Sequence, residues 1–447
     1  MANIQALRGL RYDLSKVGSL SDVIAPPYDV IKSGLQDELY NRSDFNFVRL
    51  ILNRGDDLQE DETVYDAAAA VMKDWRRDEV LRPDSHEAVY VYHQSFEFEG
   101  QSFLRRGFMS RVKLEPFGTG RIYPHEETHS RAKEDRLNLT RAVQCNLSQI
   151  FGIYPDENNE AQEILEAAIE DRTPITAVDH LGVRHDMWLV TDLDAIARAA
   201  AVMGDKPVYV ADGHHRYETA CNYQREYREQ NDIQGDHPVD YVLMMNISMH
   251  DPGMIVLPTH RLFRDVPPIT SDEFITRVSV AFDCEKVGTG AEKTAEIWEE
   301  IAVEDEQSTM AFYCKADDTW VMNRLNEQGI AKMQEVAPDK SDDWRSLGVA
   351  ILHELVIKNL LGLTELPSPL YVHAVDEVIE GINNGDAAGR DATGQMGSGA
   401  AFELAALVMP ATTGHVKAIS ENGERMPAKS TYFYPKLLGG LVVNPLT

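Results

Sequence analysis

Pro207-Val208-Tyr209-Val210-Ala211-Asp212-Gly213-His214-His215-Arg216-Tyr217 passes from a short apolar strand, through a polar run, into a helix expected over residues 217–228. A strand feeding a helix through one tight junction is the unit from which mixed α and β folds are built, so this stretch sets the expected class. A glycine at the junction lets the backbone approach an anion closely, and the helix amides supply donors to it. Arg216 adds a planar, permanently charged fork suited to phosphate. His214 and His215 add donors or proton-transfer groups, and Asp212 can take a proton or hold a divalent cation. Functional groups concentrate in such strand-to-helix loops.

Outward from this junction the pattern is mixed. A helix is expected over 58–79, and a hairpin over 88–92 and 103–112 around Glu99-Gly100. Further helices are expected over 160–171 and 191–203, the latter closed by Gly204. After Leu262 the run Pro267-Pro268-Ile269-Thr270-Ser271-Asp272 marks a break and a helix cap, followed by a hairpin over 310–314 and 320–322 and a helix over 347–361. The expected class is α/β or mixed α+β, with one domain over 1–265 and an α+β domain over 266–447.

The chain has 447 residues, 43% hydrophobic and 26% charged, enough for two cores. Its 43 Lys and Arg against 73 Asp and Glu give a formal charge of -30, which disfavours nucleic acid and anionic membranes as partners. The four cysteines make no C-x-x-C pair, and no window approaches the ~20 apolar residues of a membrane helix. The N-terminal sequence lacks the apolar run of a signal peptide, so a cytoplasmic location is expected.

A second constellation is Pro124-His125-Glu126-Glu127-Thr128-His129, followed by Arg131, Lys133, Asp135 and Arg136. As a string it matches H-E-x-x-H, which in a zinc hydrolase places two histidines one helical turn apart. Its flanks are almost wholly polar, whereas a zinc-binding helix needs an apolar face to preorganise its ligands. The better reading is a loop entering a helix, with Glu126 orienting a cation or base and with Lys133 and Arg136 facing phosphates. Three weaker features complete the set. Pro258-Thr259-His260-Arg261 either lines the same pocket or is a plain strand end. Tyr432 and Tyr434, flanked by lysines, either stack on a base or belong to a core. The glycines over 389–399 read as a flexible loop, serving as a lid if functional.

These motifs resemble a microbial family catalogued as domain of unknown function 1015. The resemblance is carried by Ala25-Pro26-Pro27-Tyr28-Asp29-Val30-Ile31, Pro124-His125-Glu126, Lys133 with Asp135-Arg136-Leu137, Asn146-Leu147-Ser148, Ala211-Asp212-Gly213-His214-His215-Arg216-Tyr217 and Lys429-Ser430-Thr431-Tyr432-Phe433-Tyr434-Pro435-Lys436, so it is expected to run the whole chain. The Asp212 to Arg216 segment is also similar to the phosphate-binding turn of the ParB and sulfiredoxin superfamily, which includes an archaeal free serine kinase whose turn also reads Asp-Gly-His-His-Arg. In ParB proteins a Glu-Asn motif with a following arginine and leucine completes the nucleotide site; Glu126-Glu127 with Arg136-Leu137 is similar in type but more widely spaced. Sulfiredoxin has its reactive cysteine where this chain has His214, so that activity is not implied. The serine kinase uses a glutamate nearer the N-terminus as general base, and Asp29 or Asp22 are the residues here that would correspond.

The resemblance and the residues together imply a phosphotransferase or phosphohydrolase acting on a small hydroxyl compound, serine or phosphoserine first, with ATP or ADP and Mg²⁺. Gly213, His214, Arg216, Lys133 and Arg136 are assigned to the phosphates, Asp212, His215, Glu126 and Asp29 to proton transfer, and Glu126 and Asp212 to the metal. A nucleotide-binding regulatory or scaffold protein is the rival reading, and a zinc hydrolase through His125-Glu126-x-x-His129 the third. A homodimer is left open.

Overall fold

A computed structural model describes residues 3–56, 58, 62–128, 130–385 and 401–447. The fold is mixed α and β, as expected, and divides into two compact units. The first comprises Met1–Pro124, Thr128–Ile255 and Pro435–Thr447; the second comprises His125–Glu127 and Val256–Tyr434.

The first unit is built on a nine-stranded sheet. Its strands are β1 (Ile4–Gln5), β2 (Val89–Phe98), β3 (Gln101–Lys113), β4 (Ile122–Pro124), β5 (Ile150–Tyr154), β6 (Ile175–Val178), β7 (Arg184–Val190), β8 (Val208–Asp212) and β9 (Tyr241–Ser248). The order is β4-β8-β5-β9-β3-β2-β7-β6, with β1 also on β3. β8 runs parallel to β4 and β9 parallel to β5; the remaining pairs are antiparallel. The β2–β3 hairpin turns at Glu99-Gly100, where both residues have positive φ (49° and 74°), the geometry of a tight hairpin turn. β9 is buried at every position, which explains its unbroken apolar run Tyr241-Val242-Leu243-Met244-Met245. Helices α1 (Ser130–Val143) and α2 (His214–Gln230) pack on each other beside β5.

The expected division at 265/266 falls inside the second unit, because His260–Phe263 is a strand of that unit's sheet. The last residues belong to the first unit for a similar reason. Gly439 pairs with Ala25, Val443 with Leu10, and Asn444–Pro445 with Asn146 and Cys145.

The second unit carries a six-stranded antiparallel sheet of β10 (His260–Phe263), β11 (Phe282–Thr289), β12 (Thr309–Cys314), β13 (Thr319–Leu325), β14 (Leu370–Val372) and β15 (Leu404–Val408), in the order β11-β13-β12-β15-β10-β14. The cap expected at Thr270 is present: its hydroxyl accepts from Glu273 N–H and the Glu273 carboxylate returns to the Thr270 amide, opening the helix Ser271–Val278. The helix expected over 347–361 is there, but Ile351–Leu360 is π-helical, with Leu361 N–H donating to Val356 C=O at 2.9 Å.

His260 lies buried and His353 half-buried in this unit, and desolvation of the rings, with the Arg261 cation nearby, pushes both imidazoles down to about 3. His373 adds to the effect on His260, and Lys358 to that on His353. Between about pH 6.5 and 3 the unfolded chain therefore binds protons that the folded chain refuses, so stability falls as pH drops. The loss expected for each histidine at pH 5 relative to pH 7 is about 2 kcal/mol. Urea unfolding at the two pH values checks this, and replacement of His260 by Gln should flatten the dependence. Among the described residues no helix is long and apolar enough to cross a membrane.

Candidate phosphate-binding site

The junction that opened the sequence reading is built by two departures from regular backbone. β8 pairs with β5 until a bulge between Val210 and Asp212 turns its end, a feature common beside functional sites. Gly213 then takes φ 93°, a left-handed conformation that favours glycine, and caps α2. The helix thus begins at His214, three residues before the expected start at Tyr217, because Gly213 makes the whole turn itself. Orphan amides of the first turn and the helix dipole make this end electropositive.

Two cations bracket the junction. Arg216 folds back so that a Cβ on Gly213 would lie 2.9 Å from its Nη2 and 3.1 Å from its Cζ. Its Nη1 donates to the Gln149 carbonyl at 2.6 Å, which fixes the guanidinium across the helix start. Lys436 reaches Asp212 from the C-terminal strap, with Nζ 2.9 Å from Oδ2. His214 is buried and His215 half-buried in the first turn of α2.

Arg216 also lines an open cleft between α1, α2 and the loop through Tyr28. Arg136 lines the same cleft, so two of the residues assigned to phosphate share one cavity. The Arg136 guanidinium lies 4.1 Å over the Tyr28 ring and donates from Nη1 to the Ile51 carbonyl at 2.9 Å and from Nε to Asp135 at 2.7 Å. Asn146 and Ser148 add polar groups, while Leu139, Val143, Ile150 and Val242 form an apolar wall. Such a mixture of a few fixed polar groups on an apolar surface is what small-ligand sites share. Cys145 is in the wall, and burial pushes its thiol up to about 12, so it serves as a packing residue and not as a nucleophile. Asp29 sits next to Tyr28 in the short 3-10 turn Tyr28–Val30, and Asp22 ends the turn Leu20–Asp22.

Other expected site residues are placed differently. Lys133 pairs with Glu218 at 2.9 Å, and the Thr128 hydroxyl donates to the same carboxylate at 2.6 Å. Glu126 belongs to the second unit, where its Oε1 accepts from the Ser430 amide at 3.2 Å. Residues 125–128 are not helical, since α1 begins only at Ser130, and His125 Nε2 shares a 2.9 Å hydrogen bond with Thr431 Oγ1. The helix on which a zinc hydrolase carries this motif is thus not present over 125–128, so the geometry there lends that reading no support; His129 lies outside the described residues. Among the described residues no three His, Cys, Asp or Glu side chains are placed to hold a metal.

His260 and Arg261 do not line the cleft: both are fully buried in β10 of the second unit, where Arg261 Nη2 donates to the Lys429 carbonyl at 2.8 Å. Tyr432 stacks on His373 at 3.6 Å in the same unit. The glycines over 389–399 lie outside the described residues. Lys436, Gln149 and Tyr28 were not read as site residues in the sequence. Lys436 and Tyr28 belong to segments that carry the family resemblance, Pro435-Lys436 and Pro27-Tyr28-Asp29, and Gln149 directly follows a third, Asn146-Leu147-Ser148; no chemistry singles them out until the fold joins them.

Among solved structures the chain is similar to a free serine kinase variant in complex with ADP, at 10% identity and a TM-score of 0.33, covering 70% of this chain and 84% of that one. It is similar to a conserved hypothetical protein from Pyrococcus furiosus at 11% identity and a TM-score of 0.32, covering 71% and 89%. It is also similar to SbnI with a C-terminal truncation from Staphylococcus aureus at 10% identity and a TM-score of 0.33, covering 76% and 87%. Scores this low carry no argument about the site. No curated protein matches the chain. A family described as "Protein of unknown function (DUF1015)" matches residues 4–350, short of the whole-chain span expected, since 429–436 lies beyond it. That span holds the junction, both helices of the cleft and the Tyr28 loop, and on it the chain belongs to the DUF1015 family.

Proposed function

We propose that the first unit binds a nucleotide or related phosphate ester in the cleft beside α2 and transfers a phosphoryl group to a small hydroxyl compound, with serine the first acceptor to try. The observation that carries this reading is the convergence of Arg216 and Arg136 on one cleft whose remaining lining combines Tyr28 and apolar side chains with a few neutral polar groups. In phosphoryl transfer the protein has little covalent work to do; positioning and charge stabilisation supply most of the rate. Arg216 and the amides of the first turn hold the phosphates, and Arg136, braced on Tyr28, presents a second cation. The acceptor oxygen attacks phosphorus, the bond to the donor oxygen breaks, and the acceptor proton passes to a base, a role this reading gives to Asp29, the neighbour of Tyr28 in the cleft lining. In this reading His215, in the first turn of α2, hydrogen-bonds the transferring group.

The sequence resemblance to the Asp-Gly-His-His-Arg turn of a free serine kinase supports the same choice of acceptor. The test is phosphorus NMR of purified protein with serine and, in turn, ATP, ADP and pyrophosphate, with and without Mg²⁺. A new phosphomonoester resonance is expected with one donor. Neither turnover nor a shifted donor resonance in any mixture would defeat the reading. A shifted resonance without turnover would favour a nucleotide-binding regulatory protein.

A further inference from the structure

The sequence assigns Asp212 to a metal or to proton transfer, yet the fold gives its carboxylate an ammonium. Lys436 Nζ stands 2.9 Å from Asp212 Oδ2, with the lysine side chain 15% and the aspartate side chain 25% exposed. A divalent cation at that oxygen would face a fixed positive charge at hydrogen-bond distance, so the donor set does not suit Mg²⁺. The contact is not an accident of a loose tail. The backbone on both sides of Lys436 is pinned: the Pro435 carbonyl accepts from Arg105, the Lys436 carbonyl from Gln94 Nε2 at 3.1 Å, and the Leu438 carbonyl from Gln149 Nε2 at 3.0 Å. Gln149 is also the residue whose own carbonyl holds Arg216. One short segment, Gln149 with its neighbours, therefore indexes both cations to the same junction.

We propose that Lys436 is a phosphate-binding residue of this site and that Asp212 is a positioning residue that aims it. This inference rests on the phosphate-ester reading of the cleft and names a residue that reading does not contain. Asp212, Gly213 and Arg216 span one strand-to-helix turn, so an ammonium held on Asp212 and a guanidinium folded over Gly213 both stand at that turn. The three groups leave one net positive charge at the turn, in a chain whose formal charge is -30. An anion drawn to this face finds its cations there. The ligand chemistry is a di- or triphosphate, whose second phosphate gives the lysine a partner beyond the one held by Arg216.

The experiment titrates ADP and inorganic pyrophosphate in EDTA against the wild-type chain and the variants Lys436→Met, Lys436→Arg, Asp212→Asn and Arg216→Ala, by calorimetry. Lys436→Met is expected to weaken both ligands about tenfold or more, the effect of losing one charge-assisted hydrogen bond. Lys436→Arg should recover most of that loss. Asp212→Asn should weaken both ligands in EDTA although it removes a negative charge, where a residue serving only a metal would leave their affinity unchanged or raised. Wild-type affinity in Lys436→Met together with weakened binding in Arg216→Ala overturns this inference and leaves the cleft reading standing. A defect of Asp212→Asn that appears only with Mg²⁺ overturns the positioning role. Wild-type affinity in Arg216→Ala, or no binding by the wild-type chain, overturns the cleft reading itself. Should Lys436→Met fail to fold, Lys436→Arg and Asp212→Asn carry the same test.

Discussion

Arg216→Ala is expected to abolish phosphate-dependent function while leaving the chain folded. The guanidinium is half-buried, reaches back over Gly213, and spends one donor on the Gln149 carbonyl at 2.6 Å, so its orientation is set before any ligand arrives. Such preorganisation is what makes a cation effective toward a charge that builds up during transfer. Affinity for ADP should fall roughly 10- to 100-fold, since charge-assisted hydrogen bonds to phosphate are lost. Turnover should fall further, on the order of 10³-fold, because an arginine acts most strongly on the transition state. The structural cost is small by comparison: one hydrogen bond to a carbonyl, about 1 kcal/mol. Calorimetric titration and phosphorus NMR read the first two, and a thermal melt reads the third. Arg216→Lys should be intermediate in affinity, because an ammonium keeps the charge and cannot span Gln149 and a phosphate with one planar fork. An alanine variant with wild-type affinity would overturn the reading of the cleft as the phosphate site.

How much of this could be read beforehand follows the range of the interactions involved. The junction 207–216 was legible because strand, glycine and helix are set by neighbouring residues; only the helix start was late, since the turn is made by Gly213 alone. The β2–β3 hairpin was legible from its alternating strands and Glu99-Gly100 turn, and the helix at Ser271 from its cap. Arg216 and Arg136 were chosen for their chemistry, yet nothing local says that residues 80 positions apart share a wall with Tyr28. Lys133 was chosen on the same chemical grounds and is turned to Glu218, one helix away. The His125-Glu126-Glu127-Thr128-His129 string misleads because a motif of this kind implies metal chemistry only on a helix, and residues 125–128 are not helical. His260-Arg261 misleads in the opposite sense: polar residues at a strand end suggest a pocket, and the second sheet buries them instead. Lys436 was beyond reach, because its partner lies 224 positions earlier and no periodicity connects them.

Removing Pro435–Thr447 is expected to unfold the first unit outright. This strap is thirteen residues at the chain's end, where truncation is ordinarily tolerated, but tolerance depends on burial and hydrogen bonding rather than position. Leu437, Leu438, Leu441, Val442, Val443 and Leu446 are all less than a tenth exposed. Burial of six such side chains contributes roughly 9–18 kcal/mol, against a net stability of about 5–15 kcal/mol for an ordinary domain. The strap is also threaded closely: a Cβ on Gly439 would lie 2.9 Å from Phe47 Cδ1, and Gly440 takes φ 92° to pass the same ring. Its departure would strand buried polar groups, since Asn444 joins Asn146 at 2.8 Å to Arg111 at 2.9 Å. The chain 1–434 should therefore lose its cooperative melt and its near-ultraviolet circular dichroism. A melt like that of the full chain would mean that the buried area of the strap is offset elsewhere. Because Asn444–Pro445 pairs with Cys145–Asn146 in the cleft wall and Lys436 sits on Asp212, truncation alone cannot separate support from chemistry. Lys436→Met can, since it deletes the ammonium and keeps every apolar contact of the strap: a variant that melts with the wild type and binds ADP poorly places the function of this segment in one side chain and its structural role in the other six.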